Sequence, residues 1–507
     1  MSRGKDRQKK AADLIARFTD GLLSGKMDVE EGEWIIEQLQ SRADDAVPRA
    51  VEVLASPSQE DRLAALVLLR ELGDPRAVKP LRRMLHKSDY DDVEKLRVIQ
   101  ALEALGSPID EATFRRVISD PEALMQDSME QMLATIEEPE QVEVFLAATV
   151  ESAPEMLELY IQDNLTPLAD RRLLLMLTAL LHVEHDGVIV AAIDAIERMK
   201  EPVTIPLLEE RAKYDPSRQV RRAAEKAVLR LRARIGDPDE GRTPWITPSS
   251  LPLVHCLLCT IDGSGGQVLF VAREQPDGDL QVLDLMFNDH EGIKDCFSVV
   301  VDEDELEEMM DSFGGNEFVD VSLEQARAEV ARAYQVTLEA GRRLPPVLMA
   351  WRGWLEGEDP RPEEEFPLPA LEPSRQAELL EECVELLNLE EFDFWFFNPD
   401  EVEPFMPRYQ ELFLQGLSNQ EELDALLNEA IEVVVSDKYV PLLPERLRRQ
   451  AWLLAQLYED EEIPLWALAA AAAIEEGVVV DHPLLREMME ISFSNAVGWY
   501  LRESLSQ

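Results

Sequence analysis

Cysteine is scarce in this chain of 507 residues, which contains only Cys256, Cys259, Cys296 and Cys383. Small secreted folds that depend on disulfides have a far higher density of cysteines at short spacings. So few thiols over this length therefore exclude a disulfide framework. A chain of this length instead divides into several domains, each with its own hydrophobic core.

Basic residues are also few, because 50 Lys and Arg stand against 102 Asp and Glu, which gives a formal net charge of −52. Proteins that bind DNA or RNA need a basic face that displaces counterions from the phosphates. The composition therefore excludes nucleic acid as an expected partner, and it excludes an anionic membrane for the same reason. A basic protein or a cation is more compatible with this acidic surface.

Long apolar runs are absent as well. The longest, residues 464–474, is shorter than the roughly 20 residues that a helix needs to cross a bilayer. The first 25 residues carry charges and no continuous apolar core, so no secretory signal is predicted. We expect a cytoplasmic protein that makes no use of a membrane.

Amphipathic helices separated by short breaks are the clearest positive feature, and they are best seen over residues 44–108. Leucines recur there at helical spacing between positions 63 and 72, and Gly73 follows where a helix ends most easily. Pro75 then stands where the first turn of another helix tolerates it. One helix pair takes close to 31 residues, from Ala46 to Ala77, which is typical of a solenoid repeat.

The segment GDPRAVKPL at residues 73–81 resembles the HEAT repeat, in particular the phycobilisome-lyase HEAT-like repeat. A second copy lies at residues 201–231, where Arg221, Ala223 and Ala224 match the second-helix motif. The resemblance covers residues 28–236 and implies an α-solenoid whose concave side binds a partner. Arg62, Lys95 and Arg221 would lie on that side and are the predicted partner-binding residues there.

The pattern changes after residues 237–252, a segment rich in Pro, Ser and Thr that we interpret as a linker. Three strand-like runs follow, separated by DGSGGQ and QPDGD, two strong turn signals. This pattern predicts an antiparallel meander, with FSVVV as a possible fourth strand. Capping boxes at Asp302 with Glu305 and at Ser322 with Gln325 indicate helices behind it. We expect an α+β domain over residues 253–356.

A second linker, rich in proline and acidic residues, is predicted over residues 357–373, and the remainder, 374–507, has the pattern of an all-α domain. Five aromatic residues cluster in the acidic stretch EEFDFWFFNPDE. Trp395 and Phe396 would anchor a partner if this cluster were exposed, whereas a packed segment beneath the helices is the structural alternative. The predicted fold is thus multidomain and mainly α, with an N-terminal segment at 1–27, the solenoid, the central α+β domain and the C-terminal helices.

Residues 287–297, FNDHEGIKDCF, hold the densest set of reactive side chains. Asp289, His290, Lys294 and Cys296 could form a catalytic or ligand-sensing site, since His290 would activate Cys296 if the two were in contact. The alternative is a polar connection between strands, in which Asn288 or Asp289 bonds its own backbone. Spacing alone leaves both readings open, because an active site requires mutual geometry.

Other possible chemistry is weaker. Cys256 and Cys259 form a C-x-x-C without a second ligand pair, and DGSGGQ lacks the lysine of a phosphate loop. His182 and His185 lack a third ligand in the sequence. Di-iron deoxyhypusine hydroxylases have repeated His-Glu pairs on HEAT repeats, and this chain has none within residues 28–236. We therefore predict no metal and no cofactor.

The function predicted from these features is a non-catalytic scaffold or adaptor that binds another protein through the HEAT-like solenoid. An enzyme or small-ligand sensor with its site in the central domain, near residues 287–297, is the alternative. An enzyme is the less favoured of the two, because no catalytic signature accompanies the polar turn.

Overall fold

The computed structural model describes residues 2–24, 27, 29–87, 89–150, 153–235, 249–355, 366–415, 419–435 and 438–506. Most of the two predicted linkers, 237–252 and 357–373, therefore lies outside the described residues. The chain is mainly helical, with one antiparallel sheet in its central part. It divides into two compact units at residues 1–134 and 135–507.

The first unit consists of helices that share one hydrophobic core. The helices are α1 (Ser2–Ser24), α2 (Val29–Gln40), α3 (Ala43–Val53), α4 (Gln59–Leu72), α5 (Val78–Met84), α6 (Asp92–Ala104), α7 (Glu111–Val117) and α8 (Pro121–Thr135). Ser58 caps the start of helix α4, where its side chain accepts a hydrogen bond from the amide of Asp61, and Gly73, with φ of 64°, caps its end. The predicted end of this helix is thus confirmed, because glycine adopts this left-handed conformation at the lowest cost.

The second unit begins with more helices. They are α9 (Pro139–Val150), α10 (Pro154–Tyr160), α11 (Leu174–Leu180), α12 (Asp186–Met199), α13 (Thr204–Tyr214) and α14 (Arg218–Ile235). Helix α10 continues into a π-helical turn, Ile161–Leu165. The division between the two units falls inside the predicted repeat region 28–236, at residue 134.

The predicted meander is present, and the sheet has one strand more than expected. The sheet contains β1 (Leu253–Cys259), β2 (Gly266–Glu274), β3 (Leu280–Asn288), β4 (Gly292–Val301) and β5 (Phe318–Asp320), in the order β4-β3-β2-β1-β5. All neighbouring strands are antiparallel. Strand β4 includes FSVVV but begins five residues earlier, at Gly292.

One helix precedes β5 in the chain and another follows it. Helix α15 (Glu303–Asp311) begins with a capping box of Asp302 and Glu305, and α16 (Leu323–Glu339) begins with one of Ser322 and Gln325. Both predicted capping boxes are therefore confirmed. A short helix α17 (Pro346–Ala350) and a 3-10 turn, Trp351–Trp354, complete this part of the chain.

The sheet has two buried faces. Register places Leu258, Leu269, Leu285 and Cys296 in one row across the strands, and Leu257, Phe270, Asp284 and Phe297 in the adjacent row. Because neighbouring rows point to opposite faces, these two sets lie on opposite sides of the sheet. Leu306, Met309 and Met310 of α15 pack in the hydrophobic cluster of the second face.

The C-terminal part is helical and has a core of its own. It contains α18 (Gln376–Glu382), α19 (Pro399–Val402), α20 (Met406–Leu414), α21 (Gln420–Val434), α22 (Leu443–Leu457), α23 (Glu462–Glu475) and α24 (Pro483–Ser506), with 3-10 segments at Cys383–Asn388, Glu390–Phe392 and Glu403–Phe405. In the part of the chain that the structure describes, no helix has the length and apolar character required to cross a membrane.

The side chain of Arg343 connects the helices α12, α13 and α14 with the central part of the chain. The Arg343 guanidinium donates to Asp186 at 2.7 Å and to both carboxylate oxygens of Asp215 at 3.1 and 3.2 Å. It also donates to the carbonyl oxygens of Val183 and Glu184. Bidentate, charge-assisted hydrogen bonds of this kind fix orientation as well as position.

Candidate functional site

The polar turn at 287–297 is closed by an asparagine. The Asn288 side chain accepts hydrogen bonds from the amides of His290 at 3.0 Å and Glu291 at 3.3 Å, and it donates to the carbonyl of Ser264. Gly292, with φ of 78°, then begins β4. These bonds are those of an Asx turn between two strands, the structural alternative considered for this stretch.

Asp289 is held by a buried arginine from the C-terminal helices. Arg446 on α22 donates from Nε to Oδ2 at 2.6 Å and from Nη2 to Oδ1 at 3.0 Å. The same guanidinium also donates to the carbonyl oxygens of Gly263 and Ser264 in the preceding hairpin turn. Asp289 thus neutralises a buried cation, which is a structural role.

The other three candidates of this stretch do not come together. His290 bonds Asp289 through Nδ1 at 3.1 Å, and Lys294 pairs with Glu291 at 2.8 Å. Cys296 lies opposite Leu285, three register positions from the turn pair Asn288 and Gly292, which is about 10 Å along a strand. His290 is therefore not in position to activate Cys296.

The environment of Cys296 also differs from that of a nucleophile. The thiol is only 2% exposed, and its burial raises its pKa well above the ordinary value. Reactive cysteines have lowered pKa values and open surroundings. The structure therefore gives the catalytic alternative at Asp289, His290, Lys294 and Cys296 no geometric support.

The C-x-x-C thiols are likewise buried. Burial raises the pKa of Cys256 to about 11 and that of Cys259 to about 12. Cys259 accepts a hydrogen bond from the amide of Val268 at 2.9 Å, so it is part of the β1–β2 hairpin. His182 is buried, and burial lowers its pKa well below the ordinary value. Among the described residues, no group of three or more His, Cys, Asp or Glu side chains could hold a metal ion.

The basic residues proposed for the concave surface are engaged inside the protein. Arg62 pairs with the buried Glu94 at 2.6 Å, and Lys95 pairs with Asp92 at 3.4 Å. Arg221 donates to the carbonyl oxygens of Asp215 and Pro216, six and five residues before it. Arg62 makes the same pair of bonds, to Ser56 and Pro57.

This repeated geometry has a direct physical reason. Each arginine follows the start of a helix and bonds two carbonyl oxygens of the preceding loop, which lie outside the backbone hydrogen bonds of the helix. The guanidinium groups are thereby used to stabilise the loops between helices. Arg62 and Arg221 are engaged by these loops and Lys95 by Asp92, and their role in binding a partner stays a prediction.

The aromatic stretch is mostly packed. Trp395 has no exposed surface and donates from Nε1 to the carbonyl of Ile261 at 2.9 Å, while Phe396 is half-buried. Phe394 alone of the large side chains here is substantially exposed, at 51%. Gly263 approaches this segment so closely that an added Cβ would lie 2.1 Å from the carbonyl oxygen of Phe394. The segment therefore fastens the C-terminal helices to the sheet, and Trp395 offers no surface to a partner.

A cavity of about 340 Å³ lies between the sheet, α16 and α22, and no signal in the sequence marked it. Its sheet wall is Leu258 and Gln267, and its two helices contribute Glu329, Arg332, Arg449 and Trp452. Residues 366–368 form the remaining wall, where the Phe366 ring meets Trp452 edge-on at 4.9 Å. Pockets for small molecules in proteins begin at about this volume.

A buried carboxylate between two arginines lines this cavity. Glu329 accepts from Arg332 at 2.9 and 3.2 Å and from Arg449 at 2.6 and 3.3 Å. Arg449 also donates to Gln267. Burial, with the neighbouring Arg332 cation, lowers the pKa of Arg449 to about 10, and Glu329 acts in the opposite direction. The group Arg332–Glu329–Arg449 thus carries one excess positive charge.

These residues come from segments that are 120 and 182 positions apart along the chain. Only the arginine density of ERLRRQAW, at 445–452, could have drawn attention to α22. No protein-family model matches this chain, and no curated protein matches it significantly.

Proposed function

We propose that this protein is a non-catalytic scaffold that binds a basic protein partner through a HEAT-like helical array. The buried thiols and the separated side chains of the 287–297 turn agree with a non-catalytic role. The net charge of −52 favours a basic partner.

Contacts that recur at one repeat length support the HEAT-like array. In the first unit, Gln59 bonds Asp91, Arg62 bonds Glu94 and Arg76 bonds Asp44, each across 32 positions. In the second, Ser217 bonds Asp186 across 31 positions and Arg230 bonds Glu197 across 33. Contacts at a constant offset are what stacked helical repeats produce, because each repeat meets mainly its neighbours.

Helix α10 is the observation that carries a binding role. It buries none of its own residues, and Met156 and Leu159 are 65% and 51% exposed on one face, three positions apart. Leu168 is exposed shortly after it, and Glu155 and Asp163 add negative charge nearby. Exposed apolar side chains within a polar rim are typical of protein-interaction surfaces.

The occupant that fits this face is a basic amphipathic segment of another protein. Its apolar side chains would cover Met156 and Leu159, and its lysines or arginines would pair with Glu155 and Asp163. Opposite charges at the rim would speed association and make it dependent on salt.

Affinity purification of the tagged full chain from its own host tests the proposal. The variant Met156→Lys/Leu159→Lys should lose a stoichiometric, basic partner, because it adds charge to the contact and repels lysines. Val433→Lys is the matched control, since Val433 is 66% exposed on α21 and lies outside this face. Retention of the partner by the double variant, or an acidic partner, contradicts the proposal.

The strength of the purified complex gives a second readout. Raising the salt concentration from 50 to 500 mM should weaken binding to the wild-type chain, as rim ion pairs become screened. A complex insensitive to salt would contradict charge pairing at Glu155 and Asp163. Both variants should first be shown to unfold at the temperature of the wild-type chain.

A further inference from the structure

The cavity between the sheet, α16 and α22 is lined by three arginines and two glutamates, in an otherwise acidic protein. Arg332 and Arg449 share one buried carboxylate, Glu329, which is 4% exposed. At the same wall Arg448 pairs with two carboxylates, Glu445 and Glu475, so it offers no unpaired cation. The local surplus of positive charge lies at the Arg332–Glu329–Arg449 group, which has two cations and one carboxylate.

Arg332 has donors left for a ligand. Its Nε and Nη2 atoms donate to Glu329, whereas Nη1 has no hydrogen-bond partner among the described residues. The side chain keeps 21% of its surface exposed and lines the cavity. A guanidinium with free N–H groups at the edge of a pocket is suited to a planar anion, above all a carboxylate.

Apolar side chains form much of the remaining lining of the cavity. Leu258 and Leu453 are each 1% exposed, Trp452 is 5% exposed, and Phe366 and Leu368 close the side formed by residues 366–368. Such surfaces favour alkyl or aryl groups over water. An inorganic anion would leave these walls wetted, and a cation would be repelled by the arginine pair.

We infer that this cavity binds a small organic carboxylate with an apolar body, its carboxylate on Arg332 and its body between Leu258, Trp452 and Leu368. Partial burial strengthens the ion pair, because fewer water molecules compete for the guanidinium. The apolar walls supply the remaining affinity. The site differs from the face of α10 and stands independently of the scaffold proposal.

Calorimetric titration of the full chain with three C8 probes tests the charge preference. Octanoate should bind at one site. Octan-1-ol, which has the same chain length and no charge, should bind about 10-fold or more weakly, because it cannot form the charge-assisted hydrogen bonds that a carboxylate forms with Arg332. Octylammonium should not bind. Equal binding of octanoate and octan-1-ol, or no binding of octanoate, overturns the inference.

Arg332→Gln assigns the binding to this cavity. It leaves Glu329 paired with Arg449 alone, so the buried charges stay balanced and the fold should persist. Octanoate should bind about 10- to 100-fold more weakly, while octan-1-ol binding should not change. Unchanged octanoate affinity in the folded variant overturns the inference.

Leu368→Asp provides a second variant if Arg332→Gln does not fold. Leu368 is 42% exposed, so a carboxylate there remains hydrated and should not disturb the core. It should weaken octanoate binding by repulsion, and an unchanged affinity contradicts the assignment. Arg408→Gln, at a half-exposed ion pair with Glu429 on other helices, is the matched control and should bind as the wild type does.

Discussion

Arg446 and Asp289, which are 157 positions apart in the chain, form a bidentate ion pair. The arginine side chain has no exposed surface, and 9% of the aspartate side chain is exposed. The pair joins α22 to the β3–β4 turn. Through the carbonyl oxygens of Gly263 and Ser264, the same guanidinium also holds the β1–β2 hairpin. One side chain thus fastens the C-terminal helices to one end of the sheet.

Removing one partner of this pair should destabilise the protein strongly. In Arg446→Leu, Asp289 remains buried without its cation, and two carbonyl oxygens lose their donor. We expect the free energy of unfolding to fall by about 3–5 kcal/mol. Urea unfolding followed by tryptophan fluorescence measures this change.

A double variant separates the ion pair from the packing of its side chains. Asp289→Leu/Arg446→Leu should be less destabilised than the sum of the two single changes, because neither charge is then left alone. Arg408→Leu is the control, since the exposed pair Arg408–Glu429 should contribute at most about 1 kcal/mol. Strict additivity would show that Arg446 and Asp289 do not act as a pair.

The thiol of Cys296 should be inert in the folded chain. It is 2% exposed, and its pKa is raised by burial, so almost no thiolate forms at neutral pH. Treatment with iodoacetamide at pH 7.5 for an hour should leave Cys296 unmodified, whereas unfolding in urea should expose it. Peptide mass spectrometry measures the modification at each cysteine. Rapid, selective labelling of Cys296 in the folded chain would support the hypothesis of a catalytic site.

Asp284 should make stability fall as pH rises. The carboxyl is 1% exposed between Phe270 and Phe297, its Oδ1 has no hydrogen-bond partner, and burial raises its pKa to about 7. An unfolded aspartate titrates near 4, so between about pH 4 and 7 the folded chain binds more protons than the unfolded chain. The stabilisation that the protonated Asp284 side chain contributes is fully present below about pH 4, and it is lost as the pH rises from about 4 to 7.

Asp284→Asn removes this titration with little change in size. Wild type and variant should therefore differ least at pH 4, and by pH 8 the variant should be more stable by a few kcal/mol, on the order expected for such a shift. Urea unfolding of both proteins at pH 4, 6 and 8 measures the difference. A constant difference at all three values would mean that Asp284 does not titrate in this window.

Local features of the fold were predictable because their signals are local. The capping boxes at Asp302 and Ser322 and the left-handed end of α4 at Gly73 each depend on a few neighbouring residues. Strand β5 was not predicted, because its three residues, Phe318–Asp320, are too few to show the alternation of apolar and polar residues that marks a strand. The strand exists because it pairs with β1, a contact across about 60 positions.

The sites were less predictable than the fold for the same reason. The polar density of 287–297 indicated a reactive site, yet its aspartate is used by Arg446 from a distant helix. The arginine pair of the cavity could not be inferred, because Glu329 lies 120 positions from Arg449, and the arginine density around Arg449 does not indicate which distant residue it pairs with. Long-range charge pairing leaves no periodic trace in a sequence.

Strand β4 forms one edge of the sheet, and Glu143 of α9 covers part of it. Its carboxylate accepts hydrogen bonds from the Ser298 amide at 3.2 Å and from the Ser298 hydroxyl, and from Nε1 of the fully buried Trp351 at 2.7 Å. Exposed strand edges can pair with other chains, and proteins protect them with charge or with covering elements.

Glu143→Ala should both destabilise the protein and promote aggregation. The buried indole N–H of Trp351 would lose its acceptor, and an unsatisfied buried donor costs about 1–3 kcal/mol. Uncovering Ser298 would add an open amide to the edge of β4. Urea unfolding should show the loss of stability, and light scattering near the unfolding temperature should show faster aggregation than for Gln141→Ala, an exposed change on the same helix. In Glu143→Gln the amide oxygen still accepts hydrogen bonds, while the repulsive charge is gone. If this variant is as stable as the wild type but aggregates as fast as Glu143→Ala, the charge of Glu143, and not its hydrogen bonds, protects the strand edge.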